Sequence, residues 1–124
     1  MNKFCTAINC MDGRVQEFVS CYLKNRFSAQ FVDTITEPGP NRIIAEQDDF
    51  HSIRSIQNRL RISIEKHNSV GIAIVGHEDC AGNPVEKSEQ ILHLQKSTQW
   101  LKKQFAGIEI IALWVELSGK ISEI

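Results

Sequence analysis

Apolar runs of strand length recur four times along the chain. They lie at residues 3–9, 30–36, 70–76 and 108–117. The third run, Val-Gly-Ile-Ala-Ile-Val-Gly, is apolar almost throughout, which is typical of a central strand covered on both faces. A Ser-Gly-Lys turn at residues 118–120 predicts a short final strand that returns beside the fourth.

Between the predicted strands, apolar residues recur at the spacing of a helix face. This pattern predicts helices over residues 15–26, 44–67 and 84–104, the last with Asn83 as its N-cap and Pro84 in its first turn. The inward stripe of the long middle helix is predicted to consist of Phe50, Ile53, Gln57, Leu60 and Ile64.

The regular alternation of strands and helices predicts the fold class. Such a sequence favours an open parallel sheet with helices on both faces, and right-handed crossovers leave few topologies. We expect a three-layer, doubly wound α/β fold with strand order 2-1-3-4 and a short C-terminal hairpin strand. At 124 residues, the chain is short for two hydrophobic cores, so we expect one domain over residues 1–124.

Composition and charge narrow the class of protein. The chain is 42% hydrophobic and 23% charged, with a net charge of −1 and interspersed acids and bases. This balance argues against a nucleic-acid partner, which requires a basic surface. No apolar run approaches the roughly 18 residues of a membrane helix, and the N-terminal residues do not resemble a secretory signal. We therefore expect a cytoplasmic protein without a membrane partner, whose four cysteines are reduced.

Two short polar segments follow the first and third predicted strands: Cys-Met-Asp-Gly-Arg at residues 10–14 and His-Glu-Asp-Cys at residues 77–80. In the expected order these strands are neighbours, and their connections leave toward opposite faces. Open α/β sheets bind ligands in the crevice at such a point. Cys10, His77 and Cys80 would offer two thiolates and an imidazole there, a set that suits tetrahedral zinc.

The fourth coordination position decides the kind of zinc site. An open position is typical of a catalytic site, whereas a fourth protein ligand makes the site structural. Asp12 is the best-placed candidate for a fourth ligand, because it lies two residues from Cys10. Cys5, inside the first strand, and Cys21, within the first helix, are expected to be core residues.

The two segments together resemble the β-class carbonic anhydrases. Cys-x-Asp-x-Arg at residues 10–14 and His-x-x-Cys at residues 77–80 match that family's motifs at the ends of the first and third strands. Residues 114–117, Trp-Val-Glu-Leu, also resemble the segment before that family's last hairpin. The resemblance extends through most of the chain.

The resemblance implies an activity and a role for each motif residue. Cys10, His77 and Cys80 would be the zinc ligands. Arg14 would hold Asp12 so that its carboxylate accepts a hydrogen bond from zinc-bound water. The implied reaction is the reversible hydration of carbon dioxide to bicarbonate by zinc-bound hydroxide. A homodimer or higher homo-oligomer is implied as well.

The sequence departs from the family pattern near the substrate pocket. Residues 37–40 are Glu-Pro-Gly-Pro, where the family usually has Arg-Asn-Ala-Gly, and the glycine that usually follows the second zinc cysteine is displaced to Gly82. Two alternatives therefore stay open. The same site could hydrolyse carbonyl sulfide or carbon disulfide, or the chain could be a non-catalytic zinc-binding protein with Asp12 as fourth ligand.

Overall fold

The computed structural model describes residues 2–124 and contains a five-stranded sheet in the order β2-β1-β3-β4-β5. The strands are β1 (Phe4–Cys10), β2 (Phe31–Glu37), β3 (Gly71–His77), β4 (Glu109–Val115) and β5 (Ile121–Glu123). All neighbouring strands are parallel except β4 and β5, which form an antiparallel hairpin. The predicted order 2-1-3-4 and the C-terminal hairpin strand are confirmed.

Helices cover both faces of the sheet. They are α1 (Gln16–Arg26), which follows a 3-10 turn at Gly13–Val15, α2 (Pro40–Glu46), α3 (Phe50–His67) and α4 (Lys87–Gln104). One apolar cluster joins α1 to the first face, and a second joins α2, α3 and α4 to the other. The three-layer, doubly wound class is thereby confirmed. Within residues 2–124, no helix is both long enough and apolar enough to span a membrane.

The centre of the sheet is the β1–β3 pair, in register from Thr6 opposite Ile72 to Ile8 opposite Ile74. Every residue of β3 is buried, so the continuous apolar run is a central strand, as predicted. The chain leaves β1 toward α1 on one face and leaves β3 toward α4 on the other. Their carboxyl ends therefore border one crevice.

The predicted helix over residues 44–67 is wrong at its start, because the chain forms two helices there. Pro40 occupies the first turn of α2, where its fixed φ and missing N–H are tolerated. Gln47, with a left-handed φ of 57°, ends α2. A new helix then begins because the Asp49 carboxylate accepts a hydrogen bond from the Ser52 N–H at 3.1 Å.

The predicted inward stripe of α3 is only partly correct. Ile53 and Leu60 are buried, but Phe50 is 72% exposed. Ile56 is fully buried in the place predicted for Gln57. Phe50 is the first residue of α3. Its exposure places it outside the packed layer that Ile53, Ile56 and Leu60 form against the sheet.

The predicted cap of the last helix is also wrong. Helix α4 begins at Lys87, three residues after Pro84, and Asn83 does not cap it. The Asn83 side chain is fully buried; its Nδ2 atom lies 2.9 Å from His93 Nδ1 of α4 and donates to the Asn41 Oδ1 atom of α2 at 3.4 Å. Asn83 therefore makes tertiary contacts with α4 and α2 and does not cap the start of α4.

Candidate metal centre

Three potential metal donors meet at the carboxyl ends of β1 and β3. Cys10 is the last residue of β1, His77 is the last residue of β3, and Cys80 follows in the turn after β3. All three residues are buried, and their donor atoms lie within 4.8 Å of one another. The fold thus brings together the three residues that the sequence predicted to be neighbours.

The spacing of the donors fits a tetrahedral zinc ion. Cys10 Sγ and Cys80 Sγ are 3.8 Å apart, and two thiolates at about 2.3 Å from a tetrahedral ion are also separated by about 3.8 Å. The His77 Nδ1 atom donates to the Glu78 carbonyl oxygen at 2.7 Å, which leaves Nε2 with its lone pair. That Nε2 atom is buried, and no hydrogen-bond partner is found for it within residues 2–124. A metal ligand bond would satisfy it.

The surroundings stabilise a negative charge on the Cys10 sulfur. The hydrogen bond from the Cys80 thiol lowers the pKa of Cys10, with further help from the His77 side chain and from the Gly39 and Asp12 backbone N–H groups. The same hydrogen bond and burial raise the pKa of Cys80. A metal ion that binds both sulfur atoms would displace any proton they carry, because both ligands must be thiolates.

Asp12 lies beside the donors and is held by Arg14. The Asp12 carboxylate accepts from Arg14 Nη2 at 2.7 Å, from Nε at 3.1 Å and from the backbone N–H at 2.9 Å. These bonds, led by those of the guanidinium, lower the pKa of Asp12 to about 2. Asp12 Oδ2 is 4.0 Å from His77 Nε2, and Asp12 is not part of the three-donor group. The carboxylate is thus an anionic acceptor at the edge of the centre.

Arg14 also contacts the second donor loop. Its Nη2 donates to the Asp79 carbonyl oxygen at 3.1 Å, and its Nη1 lies 3.3 Å from Asp79 Oδ2. Asp79 has a φ of 56°, an uncommon conformation for a residue other than glycine. Arg14 therefore connects the loop after β1 with the loop after β3.

Gln16 is a further contact of the first loop that the sequence did not single out. Its Nε2 donates to the carbonyl oxygens of Cys10 at 2.7 Å and Asp12 at 2.9 Å. In the sequence, Gln16 looks like an ordinary polar residue in the first turn of a helix. No pattern signal distinguishes it, because its partners are backbone atoms.

The segment that departs from the family pattern packs against the second donor loop. A Cβ atom at Gly82 would lie 2.3 Å from the Pro38 carbonyl carbon, and one at Gly39 would lie 2.7 Å from the Gly82 carbonyl carbon. Two glycines thus allow the two backbones to touch. The Glu37 carboxylate forms an ion pair with Arg59 of α3, so its charge is already partnered.

An open pocket of about 500 Å³ adjoins Cys80. Its walls combine the Arg14 guanidinium and two carboxylates with small apolar side chains. The residues besides Cys80 are Arg14, Asp79, Ala81, Pro84, Val85 and Glu86. A small molecule could approach the donors from this side.

The other two cysteines lie apart from the donor group. Cys5 is fully buried in the core, as predicted. The expectation that Cys21 is a core residue is wrong, because it is exposed on α1. The residues of α1 that do face the sheet are Val19 and Leu23.

Comparison with known proteins identifies the family. Residues 1–124 match the family model described as "Putative carbonic anhydrase", and the chain belongs to that family. No curated protein gave a significant match to the chain.

Solved carbonic anhydrases share the fold. The carbonic anhydrase from Streptococcus mutans superposes with a TM-score of 0.67 at 15% identity, covering 97% of this chain and 80% of that one. One of the tetrameric β-carbonic anhydrases from Sordaria macrospora gives 0.65 at 13% identity, covering 99% and 80%. The β-carbonic anhydrase CafA of Aspergillus fumigatus gives 0.53 at 15% identity, covering 99% and 75%. At these identities the likeness concerns the fold, and it agrees with the β-class resemblance of the two motifs.

Proposed function

We propose that this protein is a zinc-dependent carbonic anhydrase that interconverts carbon dioxide and bicarbonate. One observation carries the proposal: Cys10, His77 and Cys80 converge with a zinc-like donor spacing, and Asp12 is held by Arg14 at the edge of the group. Membership of the family described as putative carbonic anhydrases supports this reaction class.

In this proposal, Cys10, His77 and Cys80 hold the zinc ion. Zinc bound there lowers the pKa of a coordinated water and so supplies hydroxide near neutral pH. The Glu78 carbonyl fixes the tautomer of His77 through Nδ1, as is usual for a ligating imidazole. The chain therefore supplies two anionic ligands and one neutral ligand.

Asp12 is the hydrogen-bond acceptor for the reacting water, and Arg14 positions it. Because its pKa is lowered to about 2, the Asp12 carboxylate is ionised near neutral pH and can only accept. Its Oδ2 atom is turned toward His77 Nε2. This orientation suits a group that fixes the direction of a water hydrogen and leaves the oxygen free to react.

The Asp12–Arg14 contacts favour an open fourth position over ligation by Asp12. Three Arg14 N–H groups bond to the carboxylate, and Asp79 anchors the same guanidinium from the other loop. Asp12 would have to leave these bonds to join the donor group. This argument supports a catalytic site rather than a non-catalytic zinc site.

We also propose that the protein acts as a homo-oligomer. The similar Sordaria macrospora enzymes are described as tetrameric. In this chain, β2 is an edge strand with β1 as its neighbour, and an unpaired edge favours association with another chain. Light scattering coupled to size-exclusion chromatography tests this proposal, and a monomer at all working concentrations would contradict it.

Stopped-flow hydration of carbon dioxide by the zinc-loaded protein tests the activity. Replacing a ligand, Cys10→Ser, should reduce the rate to that of the uncatalysed reaction. Asp12→Asn keeps the side-chain shape but not the charge, and it should lower the rate about 100-fold, the scale of a positioned proton acceptor. Cys21→Ser is the matched control, because Cys21 is exposed on α1, and it should retain full activity.

Three results would reject or replace the proposal. Wild-type activity equal to that of Cys10→Ser would reject carbonic anhydrase activity. If the same preparation released sulfide from carbonyl sulfide or carbon disulfide, the site would be assigned to those substrates. If zinc X-ray absorption showed four protein ligands across the working pH range, a non-catalytic zinc site would be favoured.

A further inference from the structure

Three buried amide side chains lie behind the donor group. They are Asn41 at the start of α2, Asn83 in the loop after Cys80, and Gln90 in the first turn of α4, and each is at most 1% exposed. We call them the amide cluster. Buried amides are costly unless their hydrogen bonds are made, so the partners of these three side chains show what the cluster holds in place.

Gln90 is the centre of the cluster. Its Nε2 donates to the His77 carbonyl oxygen at 2.7 Å and to the Asn83 carbonyl oxygen at 3.3 Å. Its Oε1 accepts from Asn41 Nδ2 at 3.1 Å. One side chain therefore bonds the backbone of a donor residue, the backbone of the second donor loop and a residue of α2.

The remaining bonds extend the cluster to both sulfur donors. Asn83, whose side chain donates to Asn41, also donates its backbone N–H to the Cys80 carbonyl oxygen at 3.3 Å. Helix α2, which carries Asn41, begins directly after Gly39, whose N–H bonds the Cys10 sulfur. Each of the three donor residues is thus linked to the amide cluster, either by a hydrogen bond or through a neighbouring backbone segment.

Strand β3 packs closely against the amide cluster at Gly76. A Cβ atom at Gly76 would lie 2.8 Å from Asn41 Nδ2 and 2.8 Å from Gln90 Oε1. The two amides therefore press against the backbone of β3 at the residue before His77. Because β3 is the central strand, this contact fixes the position of the cluster relative to the sheet.

We propose that Gln90 is a positioning residue that sets the affinity of the metal centre by holding the His77 and Asn83 backbones. This inference depends on the proposed function, since it assumes that the three donors bind zinc. The reason is geometric: both acceptors of its Nε2 belong to the segment of residues 77–83 that carries two of the three donors. An apolar residue at position 90 would leave the His77 carbonyl and the Asn41 amide unpaired in the core.

The test compares zinc affinity with the stability of the metal-free protein. Gln90→Met keeps the length of the side chain and removes its hydrogen bonds. The matched control is Ser63→Ala, which removes buried hydrogen bonds to Thr6 and Asp33, residues outside the donor loops. Zinc affinity is measured by competition with a chromophoric chelator, and stability by urea unfolding without metal.

Gln90→Met should weaken zinc binding about tenfold or more, as observed for residues that orient metal ligands. Ser63→Ala should change the affinity less than about twofold, even if it destabilises the fold equally. A variant that stays nine-tenths folded loses only about 10% of its apparent affinity through unfolding. The visible absorption of cobalt-substituted Gln90→Met should also change, because it reports the geometry around the ion.

Affinity within about twofold of wild type for Gln90→Met would overturn the inference, as would equal losses in Gln90→Met and Ser63→Ala. If Gln90→Met does not fold, Gln90→Glu replaces it, since it keeps the acceptor for Asn41 and loses the donor to His77. If neither variant folds without metal, Gln90 serves folding, and the inference is also overturned. Failure of the wild-type protein to bind one zinc ion would instead reject the proposed function.

Discussion

The contact between the two loops at Gly82 predicts a strong effect of a single methyl group. A Cβ atom at this position would lie 2.3 Å from the Pro38 carbonyl carbon, 2.6 Å from its oxygen and 2.7 Å from the Gly39 nitrogen. All three are backbone atoms, so no side-chain rotation can relieve the overlap. Ordinary contact begins at 3.4 Å, and Gly82→Ala therefore has to separate the two loops by roughly 1 Å.

This separation should reduce both stability and metal affinity. Overpacking of this kind costs about 1–3 kcal/mol, which corresponds to a fall in Tm of roughly 4 °C per kcal/mol for a chain of this length. The shift also moves the Gly39 N–H away from the Cys10 sulfur and disturbs the turn that carries Cys80. We expect zinc affinity to fall about tenfold or more, as for other changes to groups that orient ligands.

Thermal unfolding of the metal-free protein and zinc competition measure the two effects. The control is Gly13→Ala, because a Cβ atom at Gly13 meets nothing within 4 Å although Gly13 lies in the first donor loop. It should leave both quantities close to those of the wild type. A Gly82→Ala protein with wild-type Tm and wild-type zinc affinity would refute the argument that the touching backbones position the donors.

Two further predictions concern the stability of the fold. Leu60→Ala, at a fully buried position of α3, should lower the free energy of unfolding, measured in urea, by about 2–5 kcal/mol. Ile62→Ala, at a 55% exposed position, should change it by about 0.5 kcal/mol or less. Similar losses for both variants would contradict the assigned helix face. The Arg26 hydrogen bonds lower the pKa of Glu123 in the folded protein. Their contribution to the stability of the fold is therefore complete above the ordinary glutamate pKa. It is lost as the pH falls through the lowered pKa of Glu123. The difference in Tm between wild type and Arg26→Gln should therefore narrow as the pH falls below the ordinary glutamate pKa. A difference that stays constant through acid titration would contradict the assignment.

The strands and the donor triad could be predicted because their signals are local. The apolar run at residues 70–76 requires burial on both faces, which only a central strand offers. Once the two central strands are placed side by side, the residues that follow them must meet. Cys10, His77 and Cys80 were therefore found together from chain order and side-chain chemistry, although their role in metal binding stays a prediction.

The errors arose where tertiary contacts override a local signal. Asn83 before Pro84 is a common helix start, but the buried Asn83 amide bonds to Asn41 instead. Gln90 looks like a polar surface residue of a helix, yet it is 1% exposed. Neither position could be recognised from spacing, because the partners are distant amides and backbone carbonyls.

The break between α2 and α3 is different, since its signals are present in the sequence. Pro40 after Gly39 is typical of a helix start, and Asp49 three residues before Ser52 is typical of a second one. The stripe predicted from Phe50 to Ile64 lies entirely within α3 and therefore does not reveal the break. Local capping residues were the better guide here.

The chain order of the three donors determines when the site can exist during synthesis. Cys10 belongs to the first strand, whereas His77 and Cys80 follow the third, and α1, β2, α2 and α3 lie between them. A nascent chain that has emerged only as far as α3 contains one member of the donor group, Cys10, and neither of the other two. Ion capture by all three donors would therefore wait until Cys80 has been translated and β3 has paired with β1. Loading of the ion would then report that the centre of the sheet is complete.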